Sequence, residues 1–241
     1  MKILGIESSS TIASIAIVEN QHLLGEYTIN HTLKHSKTLM PMIKELLERL
    51  ELRPKDIGLI AVSEGPGSFT GLRIGSATAK GLAQGLDIPI ASIPTMEVLA
   101  STVQVPNAQV HALMYARARE VYYQSFKVDF HDQTFFLKPI EKLDTYEVEE
   151  VIDRLRKISE NVYVIGDAVE KFKEELSSLD DNVLIISPIY SNLLAKNVAI
   201  LGQSRYDYND VMTYREHRPY YHKKSQAERE YESKHNADNS N

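Results

Sequence analysis

Lys2-Ile3-Leu4-Gly5-Ile6-Glu7 and Ile12-Ala13-Ser14-Ile15-Ala16-Ile17-Val18 are two apolar runs joined by four hydroxyl side chains, Ser8-Ser9-Ser10-Thr11. Branched side chains are stiff and suit a pleated strand, and a hydroxyl-rich joint suits a turn, so the pair reads as a β-hairpin. Glu19-Asn20 is the next turn, and Leu23–Ile29 a third strand. Ser36, as N-cap, then precedes Leu39, Met40, Ile43, Leu46, Leu47 and Leu50, whose three- and four-residue spacing specifies an amphipathic helix ending before Pro54. Next come a strand over Ile57–Val62, the Gly65-Pro66-Gly67 turn, a helix over Leu72–Leu86, a strand over Ile88–Ile93 and a short helix over Thr95–Thr102 opened by Pro94.

The order βββαβαβα then returns. Strands fall near Gln109–Tyr115, Val121–Phe130 and Thr134–Ile140, followed by a helix over Tyr146–Lys157, a strand over Val162–Ile165, a helix over Ala168–Leu179, a strand over Val183–Ile186 and a helix over Asn192–Gly202. Two such units do not fit one doubly wound sheet. They fit a duplicated two-lobe α/β fold of the actin/Hsp70/sugar-kinase type, with three antiparallel and two parallel strands per lobe. The lobes are expected over residues 1–104 and 105–227, the second carrying a C-terminal helix over 191–204. The boundary falls near Thr102–Asn107, where Pro106 and Asn107 break the pattern. Residues 228–241 read as a disordered tail.

Composition narrows the chemistry. The chain has no Cys, which removes disulfides, thiolate metal sites, Fe–S clusters and cysteine nucleophiles. With 43% hydrophobic residues it can bury a core, and with no apolar run of membrane-spanning length and no leader pattern it reads as cytosolic. Its formal charge of −6 opposes gripping nucleic acid through a net field. The basic residues Arg215, Arg218, Lys223, Lys224 and Arg229 are interrupted by Glu216, Glu228 and Glu230, so they read as a solvated mixed-charge tail, and no aromatic-basic platform is evident.

The most specific stretch is Glu64-Gly65-Pro66-Gly67-Ser68-Phe69-Thr70-Gly71-Leu72-Arg73-Ile74-Gly75, between a buried strand and a helix. Exposed amides at a helix N-terminus favour anions. However, no Lys follows Gly71, as a P-loop requires, and Gly65-x-Gly67 lacks the rest of a dinucleotide fingerprint. A phosphate loop and an ordinary tight turn both remain open. Ser8, Ser9 and Ser10, with Gly65, Gly67 and Ser68, are the candidate nucleotide-facing loops, and turn chemistry is the alternative for the serines. Glu7 is a candidate metal-facing carboxylate. His31 and His35 are four apart but flank a strand-to-helix loop instead of sharing a helix face, which argues against metal ligation. Asp167 after Gly166 is the best acidic candidate for a kinase-type base, with an N-cap role as its alternative.

The Gly-Pro-Gly-Ser-Phe-Thr-Gly-Leu-Arg-Ile-Gly block, with Lys2–Ser9 and His35-Ser36-x-x-Leu39-x-Pro41, closely resembles the TsaB (YeaZ) family. The similarity is strong over Met1–Ala100 and looser beyond. The resemblance implies a non-catalytic scaffold or dimerisation subunit of the complex that forms N6-threonylcarbamoyladenosine at position 37 of ANN-decoding tRNAs. A catalytic paralogue, TsaD, and an ATPase, TsaE, are the implied partners, with ATP and metal on them and none on this chain. Binding to tRNA is expected only through the complex, and a homodimer in isolation. Thr95 and Leu99 stand where the resemblance implies the paralogue's two metal-binding histidines. Tyr115-Ala116-Arg117 replaces the family's Asp-Ala-Arg. A glycoprotease label attached to relatives finds no protease constellation here. The implied partner surface comprises Ser36, Leu39, Met40, Ile43 and Leu47 on one helix and Arg73, Gly75, Ser76, Ala79 and Ala83 on the next. The alternative is a nucleotide-dependent kinase or ATPase of the same fold.

Overall fold

The computed structural model describes residues 1–30, 35–131 and 134–222. The first half runs β1 (Lys2–Glu7), β2 (Ile12–Glu19), β3 (His22–Asn30), α1 (His35–Arg49), β4 (Ile57–Gly65), α2 (Phe69–Leu86), β5 (Ile90–Pro94) and α3 (Thr95–Ala100). The second runs β6 (Gln109–Arg117), β7 (Glu120–His131), β8 (Thr134–Pro139), β9 (Asp144–Glu147), α4 (Val148–Leu155), β10 (Val162–Ile165), α5 (Asp167–Lys171), α6 (Lys173–Leu176), β11 (Val183–Ile185) and α7 (Ala195–Asp207).

Each half makes one mixed sheet, β3-β2-β1-β4-β5 and β8-β7-β6-β10-β11. In both, the first three strands are antiparallel and the last two are parallel to the first. The duplicated two-lobe fold is therefore present, strand for strand. The second copy has one addition. β9 takes residues 120–123 of β7 and β8 takes residues 126–131, so two short strands share the edge of one long one.

Three apolar cores layer the molecule. Alternation along β1, β2 and β4 sends Leu4, Ile6, Ile15, Ile17, Ile60 and Val62 toward α1 and α2. The opposite face sends Ile3, Val18, Leu59 and Ala61 into a central layer with Val98 and Leu99 of α3 and Val198 and Ala199 of α7, where it meets Val110, Ala112 and Phe126 of the second sheet. The second sheet's other face meets α4, α5 and α6 through Leu113, Tyr123, Val151, Leu155 and Phe172.

Four expectations are corrected by this arrangement. The C-terminal helix, assigned to the second lobe, packs on the first sheet: Ala195 N donates to Ser14 Oγ at 3.1 Å, and a β-carbon at Gly202 would collide with that of Ala61. Small residues at the contact let α7 approach the strands closely, a reason for its placement that helical periodicity alone does not carry. Ser36 is not an N-cap, because α1 already includes His35. The helix expected over Ala168–Leu179 is broken at Phe172 into α5 and α6. The helix expected from Tyr146 begins at Val148, after β9. His31 and the expected tail over 228–241 lie outside the described residues.

Candidate functional site

The hairpin turn of the first lobe is seated directly on the N-terminus of α2. Ser68 caps that helix, its Oγ accepting from Gly71 N at 3.3 Å, while Ser68 N donates to Ser9 O at 2.6 Å. A β-carbon at Gly67 would collide with Ser9 O, and one at Gly71 with Ser8 O. Ser8 Oγ donates to Gly71 O at 2.9 Å. Gly67 and Gly71 are thus required by the chain's own approach, Ser68 N is taken by Ser9 O, and Gly71 N by the cap.

The hydroxyls are committed in the same way. Ser10 Oγ accepts from Ile12 N at 3.1 Å, a local turn bond. Ser9 N and Oγ donate to Glu7 Oε1 at 2.6 and 2.5 Å, and Ser63 Oγ donates to Glu7 Oε2. Glu7 is fully buried, and burial holds its carboxyl above the usual range against the pull of these donors. It therefore faces hydroxyls inside the lobe, correcting the expectation that it faces a metal. His35, considered as a metal ligand, donates from Nε2 to Ser10 O at 2.9 Å and ties α1 to the hairpin turn. Among the described residues, no three His, Asp or Glu side chains converge as a metal-holding group.

A cleft of about 930 Å³ separates this turn from the second lobe. Ser9, Ser10, Gly67, Ser68 and His35 form one wall, with Tyr115, Tyr122, Asp167, Glu170 and Asn192 opposite. Of the candidate nucleotide-facing residues, Ser8 and Gly65 do not line it: Ser8 is buried against α2, and Gly65 is covered by the backbone of Tyr220. Among the described residues, the acidic and basic side chains lining the cleft are His35, Asp167 and Glu170, a set with no fixed cation to meet a polyphosphate. Asp167 Oδ1 accepts from Tyr115 N at 2.8 Å, which ties the start of α5 to β6. Leu99 reaches the cleft, whereas Thr95 is fully buried.

The helices that carry the expected partner surface divide sharply by face. Leu39, Ile43 and Leu47 of α1 are buried in the chain's own core, as are Gly75, Ser76, Ala79 and Ala83 of α2. Leu39, Gly75, Ser76, Ala79 and Ala83 are corrected to core positions, because one helix face cannot meet both the chain's own sheet and a partner, whereas Ile43 and Leu47 pack in the core and also line a groove. Ser36, Met40 and Arg73 are exposed. Between the helices lies an apolar groove of about 310 Å³ lined by Met40, Ile43, Lys44, Leu47, Leu82 and Leu86 among others, of which Met40, Ile43 and Leu47 were anticipated. The signal for Leu82 and Leu86 was their four-residue spacing along α2.

The family model described as TsaD, tRNA N6-adenosine threonylcarbamoyltransferase, matches residues 22–231. The chain belongs to the TsaD family, on its TsaB (YeaZ) branch. It is similar to the tRNA threonylcarbamoyladenosine biosynthesis protein TsaB of Bacillus subtilis, with 36% identity over 51% of this chain and 53% of the relative. The match thus spans about half the length of that relative. Similarity to the protein of the same description in Buchnera aphidicola from Schizaphis graminum is 27% over 77% of this chain and 88% of the relative. A Pseudomonas aeruginosa structure, described as having similarity to peptidase YeaZ, shares the fold with a TM-score of 0.75 at 19% identity, covering 92% of this chain and 99% of its own. In this TsaB-branch chain, no helix among the described residues is long and apolar enough to cross a membrane.

Proposed function

We propose that this chain is a cytoplasmic, non-catalytic subunit of the complex that forms N6-threonylcarbamoyladenosine at position 37 of ANN-decoding tRNAs. It would support a TsaD-like paralogue, with a TsaE-like ATPase completing the assembly and ATP and metal carried by those partners. The observation that carries the non-catalytic part is the seating of Ser8 and Ser9 on α2, which occupies the backbone approach that a phosphate would need. The acidic and basic side chains that line the cleft among the described residues, His35, Asp167 and Glu170, and the engagement of Asp167 by Tyr115 N, support the same reading against a kinase.

The α1–α2 groove is the proposed docking surface, with Met40 at its rim, for the paralogue's matching helix pair or a second copy of this chain. Met40, Ile43 and Leu47 of the expected set line this groove, and Leu82 and Leu86 extend it. Purification of the full chain from its host, with stoichiometric partners identified by mass spectrometry, tests the assignment. Recovery of a TsaD-family protein is expected, and a chain that purifies with none, yet phosphorylates a small molecule, would overturn it.

A further inference from the structure

The last described segment, residues 211–222, runs back along α2. Met212 and Ile90 exchange backbone hydrogen bonds at 2.8 and 2.9 Å, Lys80 Nζ donates to His217 O at 3.2 Å, and Tyr220 N donates to Glu64 O at 2.7 Å. At the far end Tyr221 stacks on Phe69 with ring centroids 4.7 Å apart, and Arg73 lies 3.9 Å over the Phe69 ring while its Nε donates to Tyr221 Oη at 3.2 Å. Residues more than a hundred positions apart in sequence thereby share one face.

That face is unlike the rest of an acidic chain. The 18 residues of α2 contain Arg73 and Lys80 and no carboxylate. The strap adds Arg215 and Arg218, and its one carboxylate, Glu216, is folded back on Thr213, accepting from its N and Oγ1 at 2.9 and 2.8 Å. Among the described residues, no ion pair engages Arg73, Lys80, Arg215 or Arg218; Arg218 Nη1 donates to Arg215 O and His217 O and Arg215 Nε to Tyr214 Oη, which leaves both charges without a counter-charge. Beside them, Tyr220 and Tyr221 remain 45% and 40% exposed.

Cations alone attract any anion. Cations beside exposed flat rings favour a chain whose phosphates alternate with accessible π-faces, which is unpaired nucleic acid and not a duplex, whose bases are stacked inward. We propose that the strap and α2 form a contact surface for an unpaired RNA segment, Arg215 and Arg218 meeting phosphates and Tyr220 stacking on a base. This inference rests on the proposed tRNA-modifying role and adds to it the part of the chain that touches RNA. An acidic peptide satisfies the cations without requiring the Tyr220 ring.

This RNA-contact surface departs from the sequence expectation that no aromatic-basic platform is present and that tRNA is met only through the complex. Fluorescence anisotropy of the full chain at low salt, with a labelled anticodon stem-loop as probe, tests the proposal. The double variant Arg215→Glu/Arg218→Glu is expected to weaken binding at least tenfold and to flatten the log K against log salt slope by roughly 1.4, about 0.7 for each phosphate contact. Tyr220→Ala keeps the backbone bond to Glu64 and is expected to weaken binding roughly five- to a hundredfold. Unchanged affinity in both variants overturns the proposal, as does a charge-reversal effect without any Tyr220 effect, or equal displacement of the probe by polyglutamate. Association of the same variants with the TsaD-family partner is measured in parallel. Intact partner binding with lost RNA binding supports the proposal, intact binding of both removes it while the subunit role stands, and a wild-type chain that binds no such partner removes the subunit role itself.

Discussion

Glu7 and Gly71 show how single residues of the hairpin region hold the first lobe together. Glu7 accepts three hydrogen bonds from Ser9 and Ser63 in a fully buried site, so Glu7→Ala strands three buried donors and is expected to cost roughly 2–4 kcal/mol. Glu7→Gln keeps an acceptor for Ser9 and is expected to cost less than half as much, as read by urea denaturation. At Gly71 a methyl group would strike Ser8 O, whereas Gly81, on the same helix, has nothing within 4 Å of a β-carbon. Gly71→Ala is therefore expected to destabilise the chain by about 2 kcal/mol or more. Gly81→Ala is expected to stabilise it by roughly 0.5–1 kcal/mol, since alanine loses less backbone entropy in a helix. Thermal melts of the two variants should move in opposite directions.

At the scale of elements, α1 and α2 carry the clearest lesson about what periodicity reports. Apolar spacing located both helices, whereas Leu39 and Ile43, expected on the partner surface, are buried with Leu46 against the sheet. It did not say that the small residues of α2 face inward. Glycine and alanine permit close approach to a sheet as readily as to a partner helix, and the sheet was not visible to a one-dimensional reading. Ala79 is 0% exposed and Met40 is 47% exposed, so charged substitutions there should now behave differently. Met40→Glu is expected to abolish partner association with an unchanged melting profile, and Ala79→Glu to unfold the lobe by burying an unpaired charge. Size-exclusion chromatography with the partner, alongside circular dichroism, separates the two outcomes. The strand order was likewise legible, because alternation and turn residues are local. The seating of α7 on the first sheet and of the strap on α2 was not, since both depend on contacts made late in a long chain.

Across the whole molecule, two buried histidines make stability depend on pH. Burial pushes His111 and His217 down to about 4 from an ordinary value of 6.5, and for His217 the charges of Lys80 and Arg218 act in the same direction. Their folded values lie below the unfolded ones, so the unfolded chain takes up protons first as pH falls. The contribution of each histidine is present in full above about pH 6.5 and is lost progressively toward pH 4, with a slope of at most about 1.4 kcal/mol per pH unit for each. Buried Glu7 and half-buried Glu64 and Glu97 are held above the usual carboxylate value by desolvation and act in the opposite direction, so the difference between wild type and His217→Gln isolates the histidine. That difference is expected to shrink as the pH falls from 6.5 to 4. The most direct test of the molecule's role is a reconstitution with tRNA, a threonylcarbamoyl donor, ATP and the TsaD- and TsaE-family partners, with N6-threonylcarbamoyladenosine measured by mass spectrometry of digested tRNA. A subunit that supports catalysis without performing it predicts product from the full set, little or none when this chain is omitted, and none when this chain replaces the TsaD-family partner. Undiminished product without this chain, or product when it replaces that partner, would contradict the assignment.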